Sequence, residues 1–242
     1  MDMSIVKHLL QHYSSKCQDE LGGYKVSKFR IIFLVSMVMF LLSGCFNQKT
    51  PEEEIYQNLE KTVQDEKDFQ EQQQPLTELE KQEKEIFDKI MDLGMKNYNE
   101  IVSLSDEALG NLKSRREKMG KEQDSIKKSK ADFEKAKPYI KRMDDKKLKK
   151  QADQLINTME ARFSAHDLLY ENYINGLNAD QKLYEMFKDK NLSLEDLEAQ
   201  IKEINDDYKE IFKANEEFNK KTEQYNKEKV QFYQSAGIEI KK

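Results

Sequence analysis

The chain has 242 residues, of which 36% are charged and 37% apolar, with no Trp, eight Gly, three Pro and a formal net charge of −5. So few backbone breakers in a Lys- and Glu-rich chain exclude a sheet-rich fold, and so little apolar residue excludes a large globular core. A disordered chain would share this polarity, but the apolar residues here recur at helical spacing.

Lys28 and Arg30 precede an apolar run from Ile31 to Leu42 that only Ser36 interrupts, followed by Ser43, Gly44 and Cys45. A charged start, a hydrophobic middle and small residues before a cut are the layout of a secretory signal peptide. The run falls short of the ~20 residues that span a bilayer as a helix. Leu42-Ser43-Gly44-Cys45 resembles the lipobox of bacterial lipoproteins. The resemblance implies that signal peptidase II recognises Leu42, Ser43 and Gly44, cuts ahead of Cys45, and leaves a diacylglyceryl group on the Cys45 thiol. Two acyl chains give stable anchoring where one does not. The expected location is therefore the extracytoplasmic face of the cell membrane. An ordinary secretory signal or an uncleaved anchor is the competing reading.

Residues 1–25 are a polar preface that signal peptides rarely carry. Val26, read from a GTG codon, is an alternative start, and Gly22-Gly23 can be encoded by a ribosome-binding sequence. The expected division is then a doubtful extension (1–25), a signal peptide (26–44), a tether (45–50) and a helical domain (51–242). Cys17, His8 and His12 belong to the preface, so with Cys45 lipidated no thiol remains for a disulfide.

Thr50-Pro51-Glu52-Glu53 is a helix start: a capping Thr, Pro at the first helical position and Glu at the third. A first helix is predicted over 51–73, with Ile55, Leu59, Val63 and Phe69 on one side, ended by Pro75. A second follows over 76–102 with Leu79, Ile86, Ile90 and Leu93. Ser105-Asp106-Glu107 then restarts a third helix, in which Leu112, Met119, Ile126, Phe133 and Ile140 stand seven residues apart. Pro138 and Asp144-Asp145 mark a turn near 143.

A fourth helix, over 145–190, carries a wider stripe of Ile156, Phe163, Tyr170, Leu177 and Tyr184, and is expected at the centre. The fifth begins at Ser193, with Asp196 as capping partner. One of its seams is Leu197, Ile204, Ile211, Phe218, Tyr225 and Phe232; the other is Leu194, Ile201, Tyr208, Asn215, Thr222 and Lys229. This is the 3.5-residue period of left-handed supercoiling, in which Asn215 either pins the register or marks fraying. The expected fold is all-α, an elongated antiparallel helical bundle or coiled coil of about five long helices.

Catalytic patterns are missing. There is no nucleophile elbow, no P-loop and no zinc spacing, and so no implied metal or cofactor. His166 is the sole histidine after Cys45 and sits among apolar neighbours, as a core histidine does. The expectation is a protein that is not an enzyme. Tyr170, Tyr173 and Tyr184 could stack on saccharides or simply pack.

Charge is unevenly spread. Residues 113–150 hold sixteen Lys or Arg and seven Asp or Glu, a net of +9, against −16 for the rest of the chain from Cys45 on. Such a block creates a local field that the net charge conceals. Within it, Lys137, Lys141, Arg142, Lys146, Lys147, Lys149 and Lys150 gather at the turn between the third and fourth helices. With the first helix leading out from the membrane, the second returning and the third leading out again, this tip is expected to point away from the membrane. There it would meet anionic wall polymer or peptidoglycan; a merely solvated hairpin is the alternative. Nucleic acid is the other usual partner of basic clusters, and export removes it from the partners expected.

Lipobox, single Cys45, tandem long helices and Lys/Glu/Asn-rich composition together resemble the YkyA-like lipoproteins of low-GC Gram-positive bacteria, to which cell-wall binding is ascribed. The resemblance covers residues 26–242, with only Leu42 to Cys45 motif-specific. It implies surface attachment and a wall-binding role, and brings no catalytic residues. The alternative is a chaperone-like or accessory factor that binds other surface proteins through helical grooves. It would need open apolar faces such as Leu197, Ile201 and Ile204.

Overall fold

A reciprocal capping box starts the first helix. The Thr50 hydroxyl accepts from the Glu53 N–H at 3.2 Å, and the Glu53 carboxylate accepts from the Thr50 N–H at 3.0 Å. The structure, a computed structural model, describes residues 49–93 and 97–239. Its helices are α1 (Pro51–Asp65), α2 (Lys67–Asp92), α3 (Tyr98–Phe133), α4 (Lys137–Ile140), α5 (Lys146–Met186) and α6 (Leu194–Ser235), with a 3-10 turn at Glu134–Ala136 joining α3 to α4. No strand occurs among the described residues. The class is all-α and the shape elongated.

Cross-helix contacts give the topology. Lys61–Asp132, Glu66–Ser129, Gln73–Glu122 and Leu79–Asn111 run in opposite directions along α1–α2 and α3. Gln123–Asp167 and Arg116–Asn178 do the same for α3 and α5, and Gln154–Glu228, Arg162–Thr222 and Lys182–Glu203 for α5 and α6. Four rods therefore pack antiparallel: α1 with α2, α3 with α4, α5, and α6.

Three boundaries differ from the sequence expectation. Pro75 lies inside α2 and does not end a helix. Its missing N–H frees the carbonyl of Glu71, and Glu71 is exposed, so water replaces the lost bond. The interruption falls at Glu66 instead. The second predicted helix stops at Asp92, and the third begins at Tyr98; Ser105 is buried within α3, its hydroxyl donating to the Ile101 carbonyl at 2.8 Å.

The core forms three clusters along the bundle. Ile55, Leu59, Phe133, Ile140, Met143, Leu155, Phe163 and Phe232 are among the first; Leu76, Ile86, Leu112, Leu177 and Tyr184 among the second; Ala179, Leu183, Leu197 and Ile204 form the third. Every described member, with the residues packed against it, falls within residues 55–238. Ser193 caps α6 by accepting from the Asp196 N–H at 3.1 Å, as expected. At the far end of α6, Gly237 adopts φ +68, and the Ile238 N–H closes on the Tyr233 carbonyl at 2.9 Å. This left-handed glycine stop tucks Ile238 against the first cluster.

Only one of the two seams of α6 stays buried along its length. Asn215 is exposed, so it pins no buried register. Leu197 and Ile204 are buried, with Ile201 packed beside them. These three positions, named as an open apolar face for a partner, pack within the chain, Ile201 being half-buried.

Candidate functional site: the basic tip

The tip is built on an ordered turn. Arg142 N–H donates to Tyr139 carbonyl at 3.0 Å and Met143 N–H to Ile140 carbonyl at 3.2 Å, while the buried Ile140 and Met143 side chains bolt the turn to the first cluster. Asp145 then caps α5, its carboxylate accepting from the N–H groups of Lys147 at 2.7 Å and Leu148 at 3.0 Å. These backbone bonds, Leu148 foremost, hold the Asp145 carboxyl below its ordinary range.

Of the seven cations expected at the tip, six stand together without an ion pair. Lys141, Arg142, Lys146, Lys147, Lys149 and Lys150 form no ion pair with a described carboxylate, although the Lys147 charge helps lower the pKa of Asp145 beside it and the Arg142 guanidinium lies 5.6 Å from the Tyr139 ring centre. Five are exposed and Lys149 is half-buried. Lys137 is different: it pairs with Glu134 at 2.6 Å and, across to α5, with Glu160. Those two carboxylates, Glu134 first, raise its pKa. It braces the turn.

The tip's place in the fold reverses the expectation drawn from five helices. Ile140 and Met143 share a cluster with Ile55 and Leu59 of α1, and with Phe232 and Tyr233 of α6. The turn therefore stands at the end of the bundle where the chain comes in at Thr50, not at the opposite end. Because α1 and α2 form one rod rather than two, every later turn changes ends. The opposite end is acidic: residues 185–207 hold eight Asp or Glu and three Lys, whereas 137–150 hold seven Lys or Arg and two Asp.

Leu42, Ser43, Gly44 and Cys45 lie outside the described residues. Of the three tyrosines that could stack on a saccharide, Tyr170 is half-buried and two are withdrawn from the surface. Tyr184 is fully buried, with its hydroxyl on Glu83, and Tyr173 is buried, with its hydroxyl on Glu80 at 2.7 Å. His166 has no exposed surface and lies edge-on between Phe69 and Phe218, with ring centres 5.6 and 5.2 Å away.

The sequence reading missed a buried charge cluster. Arg115 is 2% exposed and sits 3.6 Å from Glu83, 3.7 Å from Glu80 and 3.8 Å from Asp180, with its Nε donating to the Tyr173 hydroxyl at 2.9 Å. Burial, then the nearby Glu83 charge, pushes the Asp180 pKa up to about 8. Arg115 falls outside the seven-residue stripe of α3, so the pattern offered no signal.

A family model described as "YkyA: Putative cell-wall binding lipoprotein" matches residues 50–235. A protein of Bacillus subtilis (strain 168) bearing the name "Uncharacterized lipoprotein YkyA" is 39% identical over 220 residues, covering 91% of this chain and 96% of its own length. Among solved structures, the 1.6 Å crystal structure of a conserved Staphylococcus aureus protein of unknown function superposes with a TM-score of 0.65. It is 19% identical and matches 77% of this chain and 97% of that one, a likeness of fold.

Proposed function

The chain belongs to the YkyA family of lipoproteins, and from that premise we propose that it is anchored by Cys45 to the outer face of the cytoplasmic membrane and binds anionic, phosphate-bearing material of the cell envelope through its basic tip. The observation that carries this reading is the group of six unpaired cations within ten residues, Lys141 to Lys150. Their clustering sets them apart: Lys113, Lys118, Lys121 and Lys127 also lack an ion pair with a described carboxylate but are spread along α3, while Lys84 and Lys213 are paired with Asp88 and Glu210. The family description supplies the wall association, and the lipobox supplies the anchor.

The protein acts by binding and not by catalysis. His166, the one histidine after Cys45, is sealed between two phenylalanines where no substrate reaches it.

Cosedimentation of residues 47–242 with purified walls tests the reading, before and after extraction of anionic polymer and across a salt series. Pelleting is expected to need the polymer and to decline with salt, because exposed charges are screened beyond ~10 Å at 0.1 M. Protein that stays in the supernatant at low salt overturns wall binding, and the whole reading falls if it also fails to bind anionic vesicles.

A further inference from the structure

Anionic phosphate reaches an anchored envelope protein from two sources, wall polymer and the headgroups of the leaflet that holds the anchor. The bundle's geometry separates them. Thr50 caps α1 at the same end as the tip and lies five positions after Cys45. Fully extended, that is ~18 Å of chain. A lipid anchor at Cys45 therefore keeps this end of the bundle beside the membrane surface, while the acidic 185–207 end faces away.

We propose that Lys141, Arg142, Lys146, Lys147, Lys149 and Lys150 bind the anionic phospholipid headgroups of the leaflet in which the Cys45 anchor sits, and so stand the bundle upright on the membrane. This rests on the anchored, polyanion-binding reading above and names the polyanion. A second observation supports it. Lys146, Lys147 and Lys149 occupy the first turn of α5, which carries no acidic residue. A helix N-terminus is the positive end of its dipole and favours carboxylates there. The cap, Asp145, is already bonded to two backbone N–H groups, and one further carboxylate, Asp144, precedes it. Cations stacked on a positive pole disfavour folding, and an anionic surface placed against them reverses that penalty. The chain from Cys45 on is acidic overall, so general charge does not draw it to such a surface; only the local block does. Near an anionic leaflet each lysine strengthens binding about fivefold.

Residues 47–242, which include every core cluster of the described residues, are titrated with vesicles of phosphatidylcholine alone and with added phosphatidylglycerol. Three proteins are compared: wild type, a tip variant (K141Q/R142Q/K146Q/K147Q), and a charge-matched mid-bundle variant (K113Q/K118Q/K121Q/K127Q) whose lysines also lack ion pairs. Circular dichroism confirms the fold of each. The expected result is binding that needs phosphatidylglycerol, falls at least tenfold in the tip variant and survives in the mid-bundle variant. Equal losses in both variants, or no preference for phosphatidylglycerol, overturn the proposal. Tip-dependent binding to walls with none to vesicles overturns it while leaving the polyanion reading intact. Binding to neither overturns both.

Discussion

The Ser125 hydroxyl of α3 occupies the place of a backbone hydrogen bond in another helix: it donates to the Asp65 carbonyl at 2.7 Å and accepts from the Phe69 N–H at 3.1 Å. Those two groups are four residues apart and would bond directly in an unbroken helix. Insertion of a side chain into this ladder is a recognised cause of a helix break, and here it separates α1 from α2 at Glu66. Ser125→Ala removes the bridge and strands a buried donor and acceptor, an expected cost of about 1–3 kcal/mol. Urea unfolding measures it. An unchanged midpoint would mean that Phe69 closes directly on Asp65 and that the hydroxyl is dispensable.

The same break is clamped by a buried pair. Arg162 of α5 grips both oxygens of Glu66 at 2.7 and 2.8 Å, its Nε donates to Thr222 at 2.8 Å, and its guanidinium lies 4.7 Å from the Phe218 ring centre. Ser129 donates to Glu66 as well, at 2.9 Å. Arg162→Met leaves a buried carboxylate without its counter-charge and is expected to cost about 3–5 kcal/mol. The double variant R162M/E66M leaves no stranded charge and should recover most of that loss. A double variant as unstable as R162M alone would show that packing around Phe218, rather than charge, sets the cost.

How much of this was written in the sequence depends on the range of the interaction. Local signals held: Thr50 with Glu53 and Ser193 with Asp196 start helices where their spacing puts them, and Leu112, Met119, Ile126, Phe133 and Ile140 are all buried. The break at Glu66 was illegible because Ser125, Ser129 and Arg162, which create and satisfy it, lie far along the chain. Pro75 looked like a terminator because proline usually is one, yet an exposed position absorbs its missing bond. That single misplaced boundary turned one rod into two, and in an antiparallel bundle an extra rod exchanges the ends of everything after it. The tip's composition was legible; its position beside Thr50 was not. The pairing of Lys137 with Glu160 likewise depends on α5 lying alongside α4, which no local pattern encodes.

Asp180 gives the bundle a pH response of unusual sign. Its carboxyl accepts from the Tyr208 hydroxyl at 2.9 Å and faces Arg115, and Glu83, also raised chiefly by burial, is near enough to push its pKa up further. With a folded pKa of about 8 against about 4 when unfolded, the native state holds a proton that the unfolded state releases. Stability therefore falls as pH rises between those values and levels off above them. Asp180→Asn keeps an oxygen for Tyr208 and has no proton to lose, so most of the decline between pH 5 and 8 should vanish. Urea midpoints at pH 5, 6.5 and 8 for both proteins decide the matter. An identical slope in the variant would assign the response to Glu83 or to other groups.

Gly176 lets α5 and α6 approach closely. A Cβ built there would lie 2.9 Å from Cδ1 of Ile211, a side chain packed on the second cluster. Nothing about the backbone demands glycine, since Gly176 is helical, and glycine inside a helix costs ~1 kcal/mol relative to alanine. In Gly176→Ala that gain is set against displacing one methyl, so the single variant should lie within about 0.5 kcal/mol of wild type. Ile211→Val deletes the obstructing atom and should itself cost about 0.5–1.5 kcal/mol. Adding Gly176→Ala to Ile211→Val should then restore ~1 kcal/mol, a coupling readable in thermal or urea unfolding of the four proteins. Gly176→Leu, which no single rotamer change accommodates, should force α5 and α6 apart and destabilise by ~1–3 kcal/mol or more. Additive effects of the alanine and valine changes would mean that Ile211 swings aside freely and that the close approach is not enforced by this pair.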